Sequence, residues 1–376
     1  MSRKGENIYK RKDGRWEGRY VKGVRDNGKI QYGYVYGHSY AETKKRISEI
    51  QGALAVGIIP AKSFSTNYGE ILLSWLQSAK LRTKESTYSR YYYLVSKYIF
   101  PYLGQHKVNQ LSNAVLERYI ECLLTSGRLD GKGGLSSKSV SDILTVVKST
   151  LLYAKNAGFA VICDVSFLSV KRSEKEIRVL TKDEQKRLSA VLLCETDTYK
   201  LGVLISLYTG MRIGEVCALK WRNVNLKEKS IRVCETMQRI KNTEPAKTEK
   251  TKIIISEPKS KCSIREIPIP ACLVEIIETF RSSPDAFVLS GNATQYVEPR
   301  KLQYHFQKYV KEGTLENVNY HALRHTFATR CVELGFEIKS LSEILGHANV
   351  NITLNRYVHS SFELKMQNMN RLSFDG

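Results

Sequence analysis

The sequence predicts a multidomain protein that is mainly α-helical and carries small β-sheets. Three stretches of different pattern support this prediction. Residues 7–51 first alternate between two faces and then become helical, residues 66–160 keep a helical period, and the remainder mixes helical with short strand-like segments. A chain of 376 residues also suits two or three domains better than one. We expect domains at 1–57, 64–165 and 174–376.

The first domain is predicted to be a small sheet followed by a helix. Residues 15–20 alternate in character, the Asp-Asn-Gly at 26–28 is a strong turn signal, and residues 29–36 form a return strand. Ser39 and Glu42 have the spacing of a capping box, which would open a helix that continues to about residue 51.

Residues 66–160 are predicted to form a compact bundle of four or five helices. Ile71, Leu72, Trp75 and Leu76 recur at helical spacing, and Pro101 is expected to end the aromatic helix before it. Two more helices are expected at 115–124 and 140–153, on either side of a glycine-rich loop. The charged, irregular stretch at 161–177 then marks a domain boundary.

The C-terminal half is predicted to be an α+β domain. Thr181 and Glu184 form a second capping box, for a helix that ends near residue 194. Strand-like stretches follow at 231–234, 252–255 and 265–269, and helices resume at about residue 272. Both the strands and the helices are short, as expected of a mixed domain rather than of a large sheet.

Composition restricts the partners and the compartment. The formal net charge is +22, and residues 1–63 alone hold 14 basic and 6 acidic side chains, a net of +8. This excess favours a polyanion, although an acidic membrane surface or solubility would also account for it. The 8 cysteines include no CxxC pair, so we expect reduced thiols and no metal. With no signal peptide and no membrane-spanning run in the sequence, a cytoplasmic protein is predicted.

Four segments of the C-terminal half offer groups for breaking a phosphodiester. That reaction needs a nucleophile, positive charge on the non-bridging oxygens, and an acid for the leaving 5′ oxygen. The groups, in chain order, are Arg212 with Glu215, the lysines at 259 and 261 in a basic turn taken as a hairpin, His321 with Arg324, and His347 ten residues before Tyr357. Each has an ordinary explanation by itself: a surface ion pair, a solvated loop, or a packed tyrosine. His325 is expected to be structural.

Together and in this order, the four segments resemble the tyrosine recombinase (phage-type integrase) family, most closely the integrases of conjugative transposons. The resemblance runs from about Thr66 to Tyr357 and rests on TGMRIGE, the segment 258–268, HALRHTFAT, and LGH followed by the tyrosine. It implies an α+β catalytic domain preceded by a helical core-binding domain. It also implies that Arg212, His321 and Arg324 bind the scissile phosphate, that Glu215 supports Arg212, and that His347 contacts the phosphate or the nucleophile.

The resemblance further implies a site-specific recombinase that integrates and excises a mobile element. Tyr357 would form a 3′-phosphotyrosyl link and leave a free 5′ hydroxyl, with Lys259 as the general acid and Lys261 as a competitor for that role. Strands would be exchanged through a Holliday junction. Because the phosphotyrosyl diester keeps the bond energy, the reaction would need no metal ion, ATP or other cofactor.

Double-stranded DNA is the implied partner, at core sites for the helical domain and at arm sites for the N-terminal sheet. The best candidates for phosphate contacts in the helical domain are Lys80, Arg82, Lys84 and Arg90. On the sheet, which would enter a major groove and present side chains to base edges, the candidates are Arg15, Arg19 and Lys22. The family implies a homotetramer on DNA in the bacterial cytosol and would accommodate an excisionase or a host DNA-bending protein. A tail helix at 361–372, carrying Phe362, Met366 and Met369, would pack on its own domain or on a neighbouring subunit.

Three other interpretations remain open at this point. A type IB topoisomerase would share the tyrosine chemistry but would not exchange partners, and a bipartite DNA-binding N-terminus argues against it. A non-catalytic DNA-binding regulator of the same fold would not depend on Tyr357. A metal-dependent nuclease would need a carboxylate cluster, and the sequence offers no convincing one.

Overall fold

The computed structural model describes residues 7–24, 30–55, 66–171, 177–243, 249–258 and 260–357, together with Met366 and Met369. The chain divides into two compact units, Met1–Ser173 and Glu174–Gly376. Helices predominate in both, and each described sheet has two or three strands. The predicted fold class, mainly helical with small sheets, is confirmed.

The first unit begins with a three-stranded antiparallel sheet and a helix, namely β1 (Ile8–Lys10), β2 (Trp16–Val24), β3 (Ile30–Gly37) and α1 (Tyr40–Ala55). The helix packs closely on β2 because that strand has a glycine at the contact. A Cβ atom on Gly18 would lie 2.2 Å from Ile47 Cδ1. The expected cap is present, since Ser39 Oγ accepts from the Glu42 N–H at 3.1 Å, and Glu42 accepts from the His38 N–H.

Five α-helices form most of the rest of the first unit, as far as the structure describes it: α2 (Tyr68–Arg82), α3 (Glu85–Leu94), α4 (Phe100–Leu103), α5 (Asn113–Ser126) and α6 (Ser137–Asn156). Their apolar faces form one core, in which the fully buried Tyr68 hydroxyl is hydrogen-bonded to Thr150. The sequence predicts that Pro101 ends the preceding helix, but helical structure continues past this residue. A π-helical turn at Val95–Ile99 leads from α3 into α4, and the proline occupies the first turn of α4.

The second unit surrounds the strongly apolar helix α8. Its helices are α7 (Lys182–Leu193), α8 (Thr198–Thr209), α9 (Ile213–Ala218), α10 (Ala271–Thr279), α11 (Pro299–Glu312), α12 (His321–Glu333), α13 (Ile338–Leu345) and α14 (Val350–Tyr357). The predicted Thr181–Glu184 capping box is confirmed at the start of α7. Core side chains of α8, α11 and α12 pack together, and this packing keeps the ends of α8 and α12 near each other.

The described strands of the second unit form two separate sheets. These five strands are β4 (Val224–Asn225), β5 (Ser230–Val233), β6 (Thr236–Lys241), β7 (Thr251–Ser256) and β8 (Arg265–Pro268). β7 pairs with β6, whereas β8 pairs with β5. The interpretation of 258–268 as a hairpin was therefore wrong. The basic segment links two sheets instead of turning back within one, and sequence spacing cannot distinguish these arrangements because strand pairing is decided by packing.

Candidate active site

Arg212 lies at the junction of α8 and α9, where the chain makes a sharp turn. Gly210 ends α8 with φ +69°, and a Cβ there would lie 2.6 Å from the Phe327 ring, so the turn and the tight contact both favour glycine. Arg212 then precedes the first turn of α9. Its backbone N–H donates to Glu215 Oε2 at 2.9 Å and its Nη1 to Oε1 at 2.7 Å. The predicted Arg212–Glu215 pair is therefore present.

Glu215 also has a second cationic partner that the sequence analysis missed. Arg265 Nη2 donates to Oε2 at 2.9 Å and Nη1 to Oε1 at 3.2 Å, and the side chains of Glu215 and Arg265 are only 3% and 6% exposed. Burial raises the pKa of Glu215, but hydrogen bonds and charges from Arg265 and Arg212 outweigh it and hold the pKa below its usual value. One buried carboxylate thus supports two guanidinium groups.

Arg265 connects three segments around the site. Besides binding Glu215, its Nε donates to the Ile344 carbonyl at 2.5 Å and its Nη1 to the Ser263 carbonyl at 3.1 Å. These contacts join the end of the basic loop to the last turn of α13, directly before Gly346 and His347. The arginine begins a strand that ends in a proline, and only its buried neighbours identify it as more than a surface cation.

Arg324 is a buried cation whose hydrogen bonds are largely to carbonyl groups. It is 3% exposed and donates to the Gly210 carbonyl at 2.8 Å and the Leu345 carbonyl at 2.6 Å, while its Nη2 contacts His347 Nε2 at 3.0 Å. Burial and the charge of Arg212 lower its pKa to about 9, so the group remains charged at neutral pH. None of the ion pairs between described residues includes Arg324. Its charge is therefore available to an anion.

Arg212, His321 and Arg324 line the same cavity of about 420 Å³, to which α9, β6, α11 and the start of α12 contribute. His321 is exposed there, but the surrounding protein removes part of the hydration of its ring, and this desolvation together with the charges of Arg324 and Arg212 lowers its pKa. The structure thus brings together three of the predicted phosphate-binding residues from two segments that are more than a hundred residues apart. A concave site with two guanidinium groups suits a phosphate.

Tyr357 ends α14 and is 6% exposed, packed against apolar side chains of α12 and α13. Its Oη lies 2.7 Å from His325 Nδ1. The His325 ring in turn meets the His321 ring edge-on, with centroids 4.6 Å apart. Burial raises the pKa of Tyr357, and the charges of Arg324, Arg356 and Arg212 oppose this rise. His325 was expected to be structural, but its position four residues after His321 places both rings on one helix face.

The outcome for the lysines is different. Lys259 lies outside the described residues, and of Lys261 only the backbone, in a short 3₁₀ turn at Lys261–Ser263, is described. The tail helix predicted at 361–372 also falls outside the described residues, apart from the exposed Met366 and Met369. The choice between Lys259 and Lys261 as the acid therefore stays a prediction.

The candidate DNA-contacting side chains of the helical bundle lie on its surface. Lys80, Arg82 and Lys84 are exposed around the end of α2 and the start of α3. Arg90 is exposed as well, but its Nη2 contacts Asp142 Oδ2 at 2.5 Å. Part of its charge is thus compensated within the chain.

On the sheet, Arg15 is paired with Asp13 at 2.8 Å, and the Arg19 guanidinium lies 3.8 Å from the centre of the Tyr32 ring. Lys22 lies in β2, with only its backbone described. β3 also carries an aromatic row that was not predicted from the sequence, in which Tyr32, Tyr34 and Tyr36 alternate with smaller residues and are exposed. That alternation, with period two, was the available signal.

Among the described residues, no group of three or more His, Cys, Asp or Glu side chains is arranged to hold a metal ion. In the same part of the chain, no helix is both long and apolar enough to cross a bilayer.

Comparison with known proteins identifies related chains. Residues 178–363 match the phage integrase family, and residues 67–124 match the N-terminal SAM-like domain of phage integrases. A tyrosine recombinase XerC-like protein of Caldanaerobacter subterraneus subsp. tengcongensis is 24% identical over 90% of both chains. The ICEBs1 integrase of Bacillus subtilis is 22% identical over 79% of this chain and 80% of its own.

Solved structures share the fold. The Tn1549 transposon integrase, solved in complex with a circular intermediate DNA, superposes with a TM-score of 0.65 at 21% identity, covering 82% of this chain and all of that one. Lambda integrase, solved as a tetramer bound to a Holliday junction, gives a TM-score of 0.55 at 16% identity, covering 96% of this chain and 99% of its own. Because the two family matches together cover residues 67–124 and 178–363, the chain belongs to the phage integrase family of site-specific tyrosine recombinases.

Proposed function

We propose that this chain cuts and rejoins DNA strands at specific sites through a covalent tyrosyl intermediate, without a metal ion or ATP. The observation that carries the proposal is a continuous set of contacts. Arg212, His321 and Arg324 line one cavity, Arg324 contacts His347, and the His321 ring leads through His325 to Tyr357. A phosphate in this cavity would meet two guanidinium groups, and the contacts through His321 and His325 lead from there to the phenol.

In the proposed reaction the phosphate occupies the cavity and its charge is balanced by Arg212 and Arg324, with His321 and His347 beside them. Guanidinium groups held in place by Glu215 and by backbone carbonyls need no rearrangement when charge builds up on the phosphate oxygens. Tyr357 Oη attacks phosphorus, the bond to the 5′ oxygen breaks, and Lys259 supplies the proton to that oxygen. The product is a 3′-phosphotyrosyl diester and a free 5′ hydroxyl.

Rejoining is the same reaction in reverse, with a 5′ hydroxyl of the same or another strand as the attacking group. One phosphodiester is exchanged for another, so no external energy source is required. Exchange between two duplexes would pass through a Holliday junction. We propose that the chain acts as a tetramer on DNA in the bacterial cytosol, with an excisionase or a DNA-bending protein as accessory partners.

The three predicted domains, 1–57, 64–165 and 174–376, are proposed to divide the DNA contacts. Lys80, Arg82, Lys84 and Arg90 would contact phosphates at the core site. On the sheet, Arg15, Arg19 and Lys22 would contact an arm site, with exposed tyrosine side chains of β3 in the same face as Arg19. A two- or three-stranded sheet can enter a major groove and present such side chains to base edges.

The test is covalent capture. The protein is incubated in EDTA with nicked duplexes that carry a randomised core, and complexes that survive SDS are isolated and sequenced. We expect an adduct with the wild-type chain, binding but no adduct with Tyr357→Phe, and an unchanged adduct with Tyr304→Phe, which alters an exposed tyrosine of α11.

Each alternative gives a different result in this experiment. An adduct with Tyr357→Phe would remove that residue as the nucleophile, and loss of cleavage in EDTA would contradict the metal-free mechanism. Two plasmids then distinguish a recombinase from a type IB topoisomerase, one carrying a pair of the captured DNA sites and one carrying none. A topoisomerase would relax both plasmids and yield no recombinant product.

A further inference from the structure

Three histidines surround the proposed nucleophile, and their hydrogen bonds differ. Both ring nitrogens of His347 are occupied, with Nε2 3.0 Å from Arg324 Nη2 and Nδ1 2.8 Å from Thr353 Oγ1. Since a guanidinium can only donate, His347 Nε2 must accept, and its proton is therefore on Nδ1, which donates to the threonine. His347 has no lone pair left to take a proton from Tyr357.

His321 lies exposed in the cavity, where the phosphate is proposed to bind. His325 is the histidine whose ring nitrogen reaches the phenol, at 2.7 Å between Nδ1 and Tyr357 Oη. Burial, and then the charges of His321, Arg356 and Arg324, lower the pKa of His325 to about 4. Its imidazole is therefore neutral at physiological pH, and the tautomer with its proton on Nε2 presents a lone pair to the phenol.

We propose that His325 is a further catalytic residue, the base that accepts the phenolic proton of Tyr357. As the bond between Oη and phosphorus forms and the bond from phosphorus to the 5′ oxygen breaks, the Oη proton passes to His325 Nδ1. The departing 5′ oxygen takes its proton from the general acid. In rejoining, the imidazolium returns the proton to Oη as the phosphotyrosyl bond breaks.

The bound phosphate makes this transfer more favourable. In the free chain, Arg324 and Arg356 disfavour a charged His325. A phosphate anion placed beside Arg212 and Arg324 offsets that repulsion and raises the proton affinity of the imidazole. The base would therefore become effective when DNA is in place. This inference rests on the proposed function, because it assumes that Tyr357 attacks a phosphodiester.

The first test is the single-turnover rate of adduct formation by His325→Gln on a captured nicked duplex, which keeps a hydrogen-bonding side chain but no base. A positioned base contributes about 100-fold or more, so we expect a loss of that size. The wild-type rate should be nearly constant between about pH 6 and 8, whereas the variant rate should rise about tenfold per pH unit because it depends on phenolate. His305→Gln, which alters a histidine stacked on Tyr199, is the matched control and should behave as wild type.

The second test distinguishes a base from a structural residue. Replacing Tyr357 by 3,5-difluorotyrosine makes the phenol more acidic and should restore much of the rate lost in His325→Gln. A 5′-bridging phosphorothiolate substrate, whose leaving group needs no acid, should not restore it. A rate unaffected by His325→Gln, or a loss with an unchanged pH profile and no rescue by fluorotyrosine, would overturn the inference. Absence of an adduct with the wild-type chain would instead overturn the proposed function.

Discussion

Replacing Arg265 by methionine tests whether one buried arginine holds the site together. The substitution keeps an apolar stem but removes two hydrogen bonds to Glu215 and those to the Ile344 and Ser263 carbonyls. Removing one partner of a buried ion pair costs about 3–5 kcal/mol. Glu215 retains Arg212, so we expect the lower end, about 3 kcal/mol in the free energy of unfolding.

The effect should be visible as a shift in Tm. For a unit of this size, each kcal/mol corresponds to about 2–4 °C, which gives a decrease of about 6–12 °C for the transition of the second unit. The assay is calorimetry of the full chain. Glu215→Gln is measured alongside to identify that transition, and the double variant should lose at least about 1 kcal/mol less than the sum of the single ones.

Arg222→Met is the matched control, because Arg222 forms an ion pair with Asp285 in which the two side chains are 49% and 72% exposed. Such surface pairs contribute about 0–1 kcal/mol. If Arg265→Met lowers Tm no more than Arg222→Met does, or if the double variant is strictly additive, then Arg265 does not join the three segments energetically.

Two further predictions concern acid stability and DNA affinity. Burial lowers the pKa of His325 and of His347 from 6.5 to about 4. Between these two values, the unfolded chain binds protons at both histidines that the folded chain does not bind. The free energy of unfolding should therefore fall as pH falls from about 6.5 towards about 4. In the His325→Gln, His347→Gln double variant, Tm should fall less steeply over the same pH range. An equal slope in the two proteins would contradict this prediction. In salt titrations of DNA binding, Lys80→Gln should reduce the slope by about one, and Arg90→Gln by less, because Asp142 already compensates Arg90; equal reductions would show that this ion pair opens on DNA.

The sequence predicts local structure correctly where the interacting residues are close together in the chain. The capping box at Thr181 and Glu184 needs only residues three apart, and the helical period of 66–160 arises within each helix. The prediction that Pro101 ends a helix is wrong because a π-helical turn before it shifts the helix register and places the proline in the first turn of α4. That adjustment depends on packing, which a local rule for proline does not include.

The sequence by itself determined the order and spacing of the reactive residue types, and hence the family and the expectation that Tyr357 is the nucleophile. Only the tertiary structure decided which of these groups touch. The contact of His325 with Tyr357 spans 32 residues and that of Glu215 with Arg265 spans 50. Such pairs depend on how α9, α12, α14 and the strands pack, and on burial, which sets protonation. The pattern therefore identified a tyrosine, while the fold placed His325 beside it and the cations around it.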